Sequence, residues 1–143
     1  MIKRAIALVI AKEASGIPAR WLVVERPPDD EDLPGVWGLP AGSFGEDETV
    51  DQLIGRIGRD KLGVELEAGA RLNEGVAERP WGRLEMTLWS ARIRSGTPEV
   101  PQPVDDITQY VDTRWAYPID LVPGAREGSL CCRLAVRWAA RSN

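Results

Sequence analysis

Residues 34–64 read Pro-Gly-Val-Trp-Gly-Leu-Pro-Ala-Gly-Ser-Phe-Gly-Glu-Asp-Glu-Thr-Val-Asp-Gln-Leu-Ile-Gly-Arg-Ile-Gly-Arg-Asp-Lys-Leu-Gly-Val. A Gly/Pro-rich loop runs into a carboxylate cluster and then into a capped helix, an order that brings backbone groups and acids together around a charged ligand. Thr49-x-x-Gln52 has the form of a capping box. Val50, Leu53, Ile54 and Ile57 fall at i, i+3, i+4 and i+7, which predicts an amphipathic helix of about three turns. Gly63 stands where a left-handed C-cap belongs. Gly55 and Gly58 interrupt the helix at a cost of roughly 1 kcal/mol each against alanine, so they predict close packing against a neighbour.

Working outward, residues 5–12 form an apolar, branched run that predicts a buried strand. A turn over Glu13 to Ala19 leads to a second strand at residues 21–26, antiparallel to the first because the connection is short. The four acids at 29–32 predict a solvated loop tip. Residues 64–72 and 76–78 are weaker strand candidates, and 84–93 alternates as a strand with one face buried. Residues 94–106 predict a long exposed loop, 110–116 a strand carrying Trp115, and 118–128 a loop or short turn. Ser129 caps a last helix whose face is Leu130, Leu134 and Trp138, with Arg133, Arg137 and Arg141 as a solvated stripe. Together these elements describe one mixed α/β (α+β) domain spanning residues 1–143, its helices packed on a sheet.

Composition narrows the chemistry. The net charge of −4 argues against a nonspecific nucleic-acid binder. The chain has no histidine, which excludes His-assisted triads and His-ligated zinc. Its two cysteines, Cys131 and Cys132, are adjacent, so they predict buried small residues and a reducing, cytoplasmic compartment, not a disulfide framework. No apolar run approaches the roughly 20 residues needed to cross a bilayer. Trp37 and Trp81, in Gly/Pro surroundings, are the tryptophans placed to stack on a base.

The spacing at 42–64 resembles the Nudix hydrolase signature, G-x5-E-x7-R-E-U-x-E-E-x-G-U, with Gly42, Glu48, Arg56, Gly63 and Val64 in register. Trp37-Gly38-Leu39-Pro40-Ala41-Gly42 resembles the lead-in to that box. Arg26-Pro27, Leu33-Pro34-Gly35 and Asp112-Thr113-Arg114-Trp115 are similar to elements that accompany it. The resemblance implies a Nudix-type α/β/α sandwich, a mixed sheet between helices. It also implies metal-dependent cleavage of the pyrophosphate in a nucleoside diphosphate linked to another group, with Mg2+ or Mn2+ as cofactor, and a homodimer. Carried over by position, Gly42, Glu48 and Asp60 would hold metal with help from Glu46 or the Ala41 carbonyl. Glu48, Asp60 and Glu85 would be catalytic, with Asp105 or Asp106 as alternative bases. Arg26, Trp37, Gly42 and Lys61 would contact substrate, and Arg56 would form a structural ion pair with Glu48.

The box departs from the pattern where metal would bind: Ile57, Asp60 and Lys61 stand in place of three glutamates. Asp60 and Lys61 sum to zero charge, and hard cations seek anionic oxygen. Three readings follow. The chain is a hydrolase with a degenerate metal site, or a module in which Lys61 replaces the cation and nucleotide is bound without cleavage, or a scaffold with Ile57 simply packed in the core.

Overall fold

The computed structural model describes residues 1–14, 17–101 and 110–141. β1 (Ile2–Ala14) is the strand around which the sheet is built. Successive side chains alternate across a strand, so its unbroken apolar run serves two cores. Ala5, Ala7 and Val9 pack with Leu130, Cys132 and Leu134 of α3 (Leu130–Arg141), while Ile6, Leu8 and Ile10 pack with Leu53, Ile54 and Ile57 of α1 (Val50–Ile57). β1 pairs antiparallel with β2 (Ile17–Glu25) and parallel with β6 (Gly82–Ser95). β4 (Ala41–Ser43) lies along Ala5–Ala7 on the edge of β1 opposite β6. β3 (Trp37–Gly38) and β7 (Asp112–Ala116) take opposite edges of β2. A mixed sheet between helices results, as the resemblance implied.

α1 begins with the predicted capping box: Gln52 N–H donates to Thr49 Oγ1, and Thr49 N–H donates to Gln52 Oε1. Beyond Ile57 the winding widens into a π turn (Gly58–Leu62) that Gly63 ends at φ 66°, its N–H returning to the Gly58 carbonyl. The expected close packing is at Gly58, where a Cβ would lie 2.8 Å from both Leu66 Cγ and the Val64 carbonyl oxygen. At Gly55 the nearest atom is the end of the Arg59 side chain, at 3.0 Å. Gly58→Ala is therefore expected to destabilise by about 1–3 kcal/mol, the overpacking strain exceeding the gain in helix propensity. Gly55→Ala should be neutral or stabilising by up to about 1 kcal/mol, because Arg59 swings aside. Urea midpoints of the two variants check this, and equal midpoints would contradict it.

Several expected boundaries change. β1 and β2 run longer than 5–12 and 21–26, which narrows the turn between them. Residues 64–72 and 76–78 belong to one strand, β5 (Glu65–Arg79), paired with β6 along its length. Register shifts between Ala68 and Asn73 absorb the residues that interrupt the apolar pattern, and Ser90 Oγ accepts the Ala70 N–H there. In place of the loop or short turn expected over 118–128, a 3-10 turn (Pro118–Leu121) leads into a short helix, α2 (Val122–Arg126). A Cβ at Gly124 would lie 2.7 Å from Cys132 Sγ and 2.9 Å from the Trp37 carbonyl oxygen, so the bare glycine is what lets α2 rest on α3 and the start of β3. β7 starts at Asp112, with Tyr110 buried just ahead of it. Asp105 and Asp106 lie outside the described residues. No helix among the described residues is long and apolar enough to cross a membrane.

Candidate functional site

The loop between β4 and α1 is bolted to the helix by one ion pair. Glu48 Oε2 accepts from Arg56 Nε at 2.8 Å, and Glu48 Oε1 accepts from Arg56 Nη2 and from Gly45 N–H, both at 2.8 Å. Arg56 Nη2 also donates to the Ser43 carbonyl at 2.7 Å. These bonds, Arg56 first and Gly45 next, bring the Glu48 carboxyl down to about 2. At the loop tip Asp47 has φ 58°, a left-handed conformation that aspartate tolerates better than most residues. A Cβ at Gly42 would sit 2.9 Å from Ile57 Cγ1 and 3.3 Å from Leu53 Cδ1, so glycine there brings β4 directly onto α1.

The three positions of the degenerate face diverge. Ile57 is fully buried among core side chains. Asp60 is exposed and makes no hydrogen bond or ion pair among the described residues, although its charge acts on Arg56 and Lys61. Lys61 turns inward: its Nζ donates to the Ala41 carbonyl and stands 5.3 Å above the Tyr110 ring. Tyr110 Oη accepts the Ala41 N–H at 2.9 Å and donates to the Ala41 carbonyl at 3.1 Å. Burial pushes the Tyr110 phenol up to about 12. Burial, then repulsion from Arg56 and Arg26, brings the Lys61 ammonium down to about 8 against the pull of Asp60.

The other sequence candidates are distributed around this centre. Arg26 Nη1 donates to Asp30 Oδ2 at 2.9 Å, and the same oxygen accepts the N–H groups of Asp32 and Leu33. Burial raises the Asp30 carboxyl, but those hydrogen bonds outweigh it and leave the group below its ordinary value. Thus the acidic run at 29–32 is more than a solvated tip, since Asp30 organises the loop that carries Leu33. Trp37 carries the Arg114 guanidinium 4.2 Å above its ring. The two line a groove of about 780 Å³ with Val36, Ile119, Gly124 and Glu127. Trp81 instead carries the Lys3 ammonium at 4.9 Å. Glu85 lies on β6, two strands from Ala41 across β1, and pairs with Arg4 and Arg83. Cys131 and Cys132 are free and buried.

Sequence reasoning missed Tyr110, Asp30 and Arg114. A tyrosine next to a strand carries no local sign of its partner, although a buried phenol usually has one. For Asp30 a signal was available, because Arg26 and Asp30 are four residues apart and Asp30 precedes a turn.

The donor set does not fit Mg2+ or Mn2+. Both acceptor positions of the Ala41 carbonyl are filled, by Tyr110 and by Lys61. Both Glu48 oxygens are held by Arg56, and position 57 offers only hydrocarbon. Asp60 and Glu46 remain as exposed carboxylates, and no group of three potential ligands is close enough to hold a metal ion among the described residues. A hard divalent cation takes about six oxygens, several of them anionic.

A mixed sheet clasped by α1 and α3, with a loop, capped helix and glycine turn at 42–64, is the Nudix fold. The chain is similar to the MutT protein from Methanosarcina mazei Go1 (TM-score 0.76, 12% identity, covering 99% of this chain and 96% of that one). It is also similar to a C. elegans Ap4A hydrolase solved as a binary complex (0.70, 14%, 97% and 96%). A third likeness is to the NUDIX domain of Shewanella oneidensis NrtR complexed with ADP ribose (0.64, 17%, 97% and 86%). At such identities the likeness establishes the fold. No protein-family model and no curated protein matches the sequence.

Proposed function

We propose that this chain recognises a nucleotide-like diphosphate, a nucleoside diphosphate linked to another group, with the phosphates at Lys61 and the planar ring toward Trp37. The supporting observation is the state of Lys61. Arg26 and Arg56 are each paired with a carboxylate, Asp30 and Glu48, whereas the Lys61 ammonium donates to an uncharged carbonyl and feels only the through-space pull of Asp60. A half-buried ammonium with no carboxylate in direct contact gains from an incoming phosphate, which supplies a close negative charge in a partly desolvated place. Glu48, Arg56 and Gly42 then serve as the frame that fixes the loop. Trp37 and Arg114 line a groove of their own that offers a stacking surface, and the free buried thiols suit a reducing cytoplasm.

Pyrophosphohydrolysis is the second reading, and one observation favours it: Asp60 presents a free, exposed carboxylate next to Lys61 on the Nudix frame. Titrations of ADP-ribose, dinucleotide polyphosphates, nucleotide sugars and nucleoside triphosphates, with product analysis in Mg2+ and Mn2+, test both readings. Binding without turnover supports recognition alone, and turnover supports the hydrolase. A protein that binds none of these ligands is not a diphosphate-recognising module.

A further inference from the structure

We infer that the Lys61 ammonium takes the place of a divalent cation on this Nudix frame, so that phosphate is bound here independently of Mg2+ and Mn2+. This rests on the diphosphate reading of the site and adds the identity of its cation.

Three observations carry it. The Ala41 carbonyl, the backbone oxygen beside the box, already accepts two hydrogen bonds, and one of them comes from Lys61 itself. A metal ion could reach that oxygen only by displacing the ammonium or the Tyr110 hydroxyl. Second, Lys61 is held by neutral groups, the carbonyl on one side and the Tyr110 ring face on the other, which fix a cation without cancelling its charge. Third, the acids that would make a divalent ion preferable are too few: Ile57 is in the core, Glu48 is locked to Arg56, and no three potential ligands come together among the described residues.

The chemistry follows from the ammonium's donor count. Of its three N–H groups one is directed at Ala41, which leaves two for phosphate oxygens. An ammonium neutralises one unit of phosphate charge and orients oxygens. It has no coordination site at which to acidify a water, so it supports recognition and not the generation of hydroxide.

The test uses ADP-ribose and Mn2+ as separate probes. ADP-ribose should bind the wild-type protein with the same affinity, within about twofold, in EDTA and in excess Mg2+. Lys61→Met should weaken that binding by about tenfold or more, and Lys61→Arg, which keeps the charge, should recover part of it. Circular dichroism melting of each variant separates lost binding from lost folding. Independently of any nucleotide, Lys61→Glu should raise Mn2+ affinity, read by electron paramagnetic resonance, by about tenfold or more over wild type, because it frees the Ala41 carbonyl and adds a carboxylate beside Asp60. Binding of ADP-ribose that requires Mg2+, or Mn2+ affinity unchanged in Lys61→Glu, overturns the inference while leaving the diphosphate reading intact. Failure of ADP-ribose, diadenosine tetraphosphate and pyrophosphate to bind under either condition removes that reading, and the inference with it.

Discussion

Ile57→Glu, which restores a glutamate that the Nudix pattern carries, is expected to lower stability by about 3–5 kcal/mol and not to build a metal site. Ile57 has 0% of its surface exposed, and its Cγ1 occupies the space that a Cβ on Gly42 would need. The substitution removes buried hydrocarbon and places a carboxylate in the core cluster that holds Leu53, Ile54 and Leu62. A shift of this size in a chain of this length corresponds to a fall of roughly 10–20 °C in melting temperature. Urea unfolding measures it directly. An unchanged midpoint together with a gain in Mg2+ affinity would mean that position 57 faces the ligand, and the account of the site would have to be redrawn.

The Glu48–Arg56 pair should give an effect with a definite dependence on pH. Glu48 stands near 2 in the folded protein against an ordinary value of 4.5. A carboxyl depressed on folding stabilises the native state fully above its unfolded value and loses that contribution as pH falls from about 4.5 toward 2. Glu48→Gln is expected to cost about 1–2 kcal/mol at neutral pH, an intermediate figure because the Arg56 end of the pair is open to solvent. The gap between wild type and variant should then close on acidification through that window, since a protonated glutamate and a glutamine offer Arg56 similar partners. A gap that stays constant from neutral to acid would show that the pair contributes nothing specific to its charge.

Much of this was legible along the chain. The apolar stripe Val50, Leu53, Ile54, Ile57 placed Ile57 in the core, and the capping box marked where α1 begins, because a helix start depends on residues three positions apart. Gly58 advertised close packing by its cost to the helix. Other features were hidden for physical reasons. β5 was divided in the sequence because bulges and an Asn interrupt its pattern, and only pairing with β6 restores its continuity. α2 was read as part of a loop or short turn because Gly124 is a poor helix residue, yet a side chain at Gly124 would collide with Cys132. The site itself was the least legible part. An ideal α-helix puts positions 57, 60 and 61 on one side, whereas the π turn separates a buried Ile57, an exposed Asp60 and an inward Lys61.

By itself, then, the sequence determined the architecture and the loss of the metal-binding acids, since periodicity, caps and the spacing of Gly42, Glu48, Arg56 and Gly63 are properties of neighbours on the chain. Where Lys61 points was decided by tertiary structure alone. Its partners, Ala41 and Tyr110, stand 69 residues apart, and only the folding of the sheet brings that carbonyl and that ring together around one ammonium.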